Sequence, residues 1–175
     1  KCTGSIIEPG EIWSFNACTG NSSLTSNGFV PATIISGGKY TTGIGGGLCQ
    51  SSTTIYNAAL YANLGIVQRR SHYWASTYCK EGFDASINYN NVDLKLKNTS
   101  KYPVYLECYM VGTKLTAKFY GRKSSSYDEI KLSSKRTSYV AGSHYDVAAT
   151  RSWYKNGKLI KIILTKCSLA YSNQL

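Results

Sequence analysis

Apolar residues recur along this chain with two different periods, and the change of period marks its elements. Across residues 51–65, Ile55, Ala58, Ala59 and Ala62 fall at i, i+3, i+4 and i+7, one face of a short amphipathic helix. Ser51 or Ser52 is placed to cap its start, and Gly65 to accept a left-handed conformation after its last turn. Elsewhere the period is two. Residues 92–97 alternate strictly, residues 104–111 alternate again, and Leu115, Ala117 and Phe119 supply a third strand after the Gly112-Thr113 turn. These three strands predict an antiparallel meander, with residues 98–103 as its first connection. Shorter apolar or β-branched runs predict strands at residues 12–15, 29–35 and 66–70, with a turn over Ser36-Gly37-Gly38-Lys39. Residues 21–28, rich in Asn, Ser, Thr and Gly, read as a surface loop.

Past the meander the pattern weakens. Residues 121–128 form a polar, serine-rich linker, and Asn156-Gly157 then marks a hairpin with a type I′ turn. Residues 159–164 beside it are apolar and basic. The expected organisation is α+β: a short helix after a Gly-rich loop, packed on an antiparallel β-meander, with a small C-terminal β appendage. Residues 1–121 form the main domain, and residues 122–175 the linker and hairpin. A length of 175 residues suits one such core, and 42% hydrophobic with 13% aromatic residues excludes a disordered chain. No apolar run approaches the length of a membrane span, and no signal-peptide pattern is present. The chain opens in mid-motif, which implies an excised ectodomain whose anchor, if any, lies upstream.

The formal charge of +11, from 20 basic and 9 acidic residues, suits an anionic partner. No nucleic-acid motif accompanies it, and Lys and Arg are spread along the chain. That leaves a solvated basic surface or contact with anionic wall polymers. Six cysteines, at 2, 18, 49, 79, 108 and 167, form no Cys-x-x-Cys pair, and only two histidines exist, which argues against a structural zinc site. With one reactive cysteine set aside, five remain. Two disulfides and a thiol, or a fully reduced set, both fit.

One cysteine has a distinctive context. Cys49 follows Gly45-Gly46-Gly47 and sits at or just before the first turn of the predicted helix. Free N–H groups and the positive end of the helix dipole favour a thiolate there. The glycines let the backbone approach a substrate and leave N–H groups to face an oxyanion. A buried inert cysteine after a flexible loop fits the same residues.

Gly45-Gly46-Gly47-Leu48-Cys49-Gln50-Ser51-Ser52-Thr53-Thr54-Ile55-Tyr56-Asn57-Ala58-Ala59-Leu60 resembles the signature of the VanW-domain family. Pro9-Gly10-Glu11-Ile12-Trp13-Ser14-Phe15-Asn16, Arg69-Arg70-Ser71-His72, Gly82-Phe83-Asp84-Ala85 and Asn98-Thr99-Ser100-Lys101-Tyr102-Pro103-Val104-Tyr105 follow in family order, so the likeness covers residues 4–121. It implies an extracellular, cell-envelope protein of a family named from glycopeptide-resistance clusters. It also implies an L,D-transpeptidase acting on peptidoglycan stem peptides, needing no metal or cofactor. Cys49 would be the nucleophile, His72 the base, and Asp84 the group that orients the ring. Gly45, Gly46, Gly47 and Gln50 would line the substrate, Arg69 would bind its carboxylate, and Tyr78 would border the cleft. A loop histidine, a turn aspartate, a basic strand residue and a packed tyrosine are the ordinary meanings of His72, Asp84, Arg69 and Tyr78. The sequence departs from the family pattern at Tyr73, where Ser is frequent, and at Phe83, where Arg is frequent. A cysteine-dependent wall-peptide hydrolase and a non-catalytic peptidoglycan-binding module are the alternatives.

Overall fold

The computed structural model describes residues 1–36 and 39–171. Its strands are β1 (Ser5–Ile7), β2 (Ile12–Ser14), β3 (Pro31–Ser36), β4 (Lys39–Ile44), β5 (Gly65–Gln68), β6 (Lys95–Lys97), β7 (Val104–Val111), β8 (Lys114–Tyr120), β9 (Glu129–Val140), β10 (His144–Lys155) and β11 (Lys158–Ala170). Two α-helices, α1 (Phe15–Thr19) and α2 (Leu48–Tyr61), complete the α+β architecture. The expected turn at Gly37-Gly38 lies outside the described residues.

Among the described residues four antiparallel sheets form, ordered β1-β7-β8, β2-β6-β5, β3-β4 and β11-β10-β9. The β7–β8 hairpin takes the expected register, with Val111 opposite Lys114. The first strand of the expected meander, residues 92–97, does not join it. β6 pairs instead with β2 and β5, because the connection after it is turned by a buried asparagine. Asn98 donates its backbone N–H to Glu11 O, gives its side-chain amide to Ile7 O and Tyr102 O, and accepts from Ser100 N. A buried amide satisfied on every side fixes a turn more firmly than strand propensity does. Asn16 plays the same part near α1, giving its amide to the carbonyls of Asn88, Tyr89 and Val92. Two of the sequence motifs thus build the scaffold.

The core gathers Ile7, Phe15, Ile55, Leu64, Leu94, Leu96 and Leu106, all at most 2% exposed, between α2 and the small sheets. Helix α2 begins earlier than its cap signals indicate. Gly47, at φ +83°, is the N-cap, while Ser51 Oγ turns back to Gly47 O and Ser52 is buried. At the other end Asn63, not Gly65, takes the left-handed conformation, and Leu64 N bonds Ala59 O. That is a Schellman-type ending, which asparagine tolerates. Gly65 opens β5 instead.

The tail is larger than one hairpin. The Asn156-Gly157 turn forms as expected, but β9 adds a third strand, and the three run 12, 12 and 13 residues. Ala149 of β10 enters the main core, Arg151 Nη1 donates to Leu60 O and Leu64 O at the end of α2, and Trp153 Nε1 donates to Asn63 Oδ1. A cation at a helix C-terminus meets the negative end of its dipole.

Candidate active site

Cys49 is the second residue of α2. Two features fix the backbone ahead of it. A Cβ on Gly46 would lie 2.6 Å from Ala32 Cβ and 2.7 Å from Thr33 O, so β3 presses directly on the loop. Gly47 then makes the left-handed step into the helix. Among the described residues, Leu48 N bonds Gly45 O and Ser51 N bonds Gly47 O, whereas Cys49 N and Gln50 N find no acceptor. These are the orphan donors of a helix N-terminus, beside the thiol.

Facing Cys49 is the segment 83–87, stitched to α2 by three side chains. Ser52 Oγ donates to Ala85 O at 2.6 Å, Thr53 Oγ1 accepts from Ala85 N at 2.9 Å, and Asn57 Nδ2 donates to Phe83 O at 2.7 Å. The stitch brings Ile87 to the sulfur: Ile87 N donates to Cys49 Sγ at 3.5 Å, and the thiol in turn can donate to Ile87 O at 3.6 Å. It also presents Asp84 to His72. Asp84 Oδ2 accepts from His72 N and holds His72 Nδ1, each at 2.6 Å, while Asp84 Oδ1 pairs with Arg69 Nη2 at 2.7 Å. With Nδ1–H given to Asp84, Nε2 is left for the thiol side, where Tyr78 Oη stands 3.4 Å away. Arg69 and Asp84 side chains are 7% and 4% exposed and His72 is 23% exposed, so the imidazole is the member that meets solvent.

The charges follow from these contacts. Burial pushes the Cys49 thiol up, but His72 and Ile87 N–H outweigh it, and the thiol ends below its ordinary value. Burial likewise works against a charged His72, yet Asp84 and Cys49 raise the ring to about 9. Asp84, although buried, is held below the usual carboxylate range by His72 and Arg69. With the imidazole raised and the thiol lowered, each group favours the charged form of the other, thiolate beside imidazolium.

Of the residues singled out from sequence, the fold therefore brings together Cys49, His72, Asp84, Arg69 and Tyr78. Gln50 is exposed beside the thiol. The Arg69 guanidinium is committed within the protein, with Nε on Asp84 O at 2.6 Å and Nη2 also on Gly82 O at 3.2 Å, so its carboxylate partner is Asp84. Phe83, standing where Arg is frequent, is a core residue at 5% exposure, and Tyr73 projects outward. The sequence gives no site role to Thr53 and Asn57 and only a capping role to Ser52, although their spacing of four, eight and three residues from Cys49 puts them along the helix flank. Nor does it give one to the tail, which grips the loop between His72 and Asp84 at both ends. Ala170 N donates to Tyr73 O at 2.8 Å, and Glu81 receives Arg136 Nη2 at 2.6 Å and Tyr145 Oη at 2.8 Å. A groove of about 540 Å³ between α2, β5 and the tail is lined by Arg69, Arg70 and Cys167 but not by Cys49. Among the described residues, no group of three or more His, Cys, Asp or Glu side chains could hold a metal ion, and no helix is long and apolar enough to cross a membrane.

The VanW-like protein family matches residues 1–120, more than half of the chain. The chain is 33% identical over 115 residues to the uncharacterized protein YoaR of Bacillus subtilis (strain 168), covering 66% of this chain and 38% of that protein. It is 32% identical over 100 residues to the vancomycin B-type resistance protein VanW of Enterococcus faecalis (strain ATCC 700802 / V583), covering 54% of this chain and 36% of that one. The chain thus spans less than two fifths of the length of these relatives. No solved structure matches it. This chain belongs to the VanW-like protein family.

Proposed function

We propose that this VanW-like protein is a cell-envelope L,D-transpeptidase working through a Cys49 thioester. The observation that carries the reading is the line of contacts from Arg69 through Asp84 to His72, an imidazole that lowers the thiol of Cys49 at a helix N-terminus where, among the described residues, two N–H groups find no acceptor. An inert core cysteine has no use for such an arrangement. The name of the E. faecalis relative, a vancomycin resistance protein, supports a role at the cell wall.

In this mechanism the Cys49 thiolate attacks the carbonyl that joins the third residue of a donor stem to its terminal D-alanine. The oxyanion forms against the N–H groups of Cys49 and Gln50, each worth roughly 3 kcal/mol in comparable sites. The imidazolium of His72 gives its proton to the departing amine, and D-alanine leaves. The neutral ring then takes a proton from the side-chain amine of an acceptor stem as that amine attacks the thioester. A 3-3 cross-link forms and the thiolate returns. Asp84 keeps Nδ1 protonated throughout, and Arg69 keeps Asp84 ionised.

Incubation with disaccharide-tetrapeptide, followed by mass analysis, tests the reading. Cross-linked dimers with released D-alanine are the expected products. Trimmed monomers alone would make the protein a hydrolase with the same core, and unchanged substrate would leave it a binding module.

A further inference from the structure

Away from Cys49, three further cysteines converge on the segment ahead of β1. Cys2 is 8% exposed in the core, and Cys18 of α1 and Cys108 of β7 pack against the same cluster. The Cys18 side chain points at residue 2. Its Sγ lies 3.6 Å from Lys1 O, the carbonyl of the peptide that enters Cys2, and 3.8 Å from Ser5 Oγ, which itself donates to Cys2 O at 2.9 Å. Cys108 also meets the segment through its backbone, its N–H donating to Thr3 Oγ1 at 2.9 Å. We propose that Cys2 and Cys18 form a disulfide that fastens the segment before β1 to helix α1.

The bond forms by exchange with a small-molecule or protein disulfide. Cys18, the more accessible thiol, attacks the oxidant as thiolate and releases one thiol, leaving a mixed disulfide. Cys2 then loses its proton and displaces the second thiol from Cys18. Two protons and two electrons leave the protein, and the oxidant departs as two thiols. Cys18 Sγ already lies against the backbone that carries Cys2, and both side chains pack on one cluster. The bridge lies in the scaffold around Ser5 and Trp13, which Trp13 Nε1 joins to Ser5 Oγ at 3.1 Å, and touches none of the Cys49, His72 or Asp84 contacts.

The test uses the full chain carrying Cys49→Ala, so that the reactive thiol consumes no oxidant. The protein is equilibrated with oxidised and reduced glutathione at several ratios, alkylated and mapped by mass. The expected result is the loss of two hydrogens, a peptide joining Cys2 to Cys18, and a melting temperature raised by roughly 5–10 °C for a loop of this length. Cys18→Ser, at a half-exposed site, removes the linked peptide and the temperature shift together. A peptide joining Cys2 to Cys108 would overturn the assignment, as would Cys2 and Cys18 both remaining alkylatable under fully oxidising conditions.

Discussion

Burial pushes the thiols of Cys49 and Cys2 in the same direction, yet Cys49 ends below its ordinary value and Cys2 rises to about 12. The difference lies in what each sulfur faces. Cys49 meets an imidazole that is itself kept charged by a buried carboxylate, and an N–H from Ile87. Cys2 meets Cys18 and Cys108, whose own thiolates would repel a second negative charge. The charge that a thiol favours in this protein is therefore set by its neighbours, and depth of burial alone does not predict it.

The strongest way to break this contrast is Cys49→Ala. If Cys49 is the nucleophile proposed above, its loss should lower cross-link formation by more than about 10⁴-fold with the fold intact, as removal of other nucleophiles does. Dimers formed at the original rate would place the chemistry elsewhere. Asp84→Asn comes next, because it strips the partner from buried Arg69 as well as from His72. It should cost about 3 kcal/mol in denaturant unfolding and abolish most activity, since breaking one side of a buried pair strands the other. Unchanged stability would mean that Arg69 finds another anion.

His72→Gln sharpens the comparison by making the surroundings of Cys49 resemble those of Cys2. Iodoacetamide labelling at neutral pH should slow by about 10- to 100-fold, with its midpoint moved toward higher pH. In the unaltered protein, activity should rise as pH passes the lowered thiol value and fall as His72 loses its proton near pH 9, because the leaving amine needs that proton. Stability carries the same signs. His72, raised above its unfolded value of 6.5, adds stability that is complete below that value and lost as pH climbs through about 9. Asp84, held below its unfolded value, adds stability that disappears as pH falls beneath the carboxylate range. A His72 variant with the original labelling profile would leave the helix N-terminus as the activator.

The smaller effects concern position. Glu81→Gln loosens the hold of Arg136 and Tyr145 on the loop between His72 and Asp84. It should change labelling of Cys49 by a few-fold and leave labelling of Cys108 unchanged. A chain ending at Tyr127 loses Ala149 from the core and Arg151 from the end of α2, and should unfold at a lower denaturant concentration. Equal stability and labelling in that shortened chain would make the tail the independent accessory that its serine-rich approach resembles.

The sequence by itself determined the short-range features. The two-residue period gave β7 and β8, Asn156-Gly157 gave the last hairpin, and the glycine run ahead of an amphipathic stretch located Cys49 at a helix start. Each depends on backbone preferences within a few residues. Tertiary structure decided where β6 pairs, because Asn98 satisfies its amide on Ile7 and Tyr102 across the fold. It also decided which cation answers Asp84. Arg69 reads as a free substrate ligand until Asp84, 15 residues on, is brought 2.7 Å from it. The third strand of the tail was equally hidden. β9 is mostly polar, and only Ile130 and Leu132 mark its inner face. Periodicity reports which side of an element is apolar. The partner that covers it, and the charge that answers a buried charge, are fixed only when distant segments meet and exclude water.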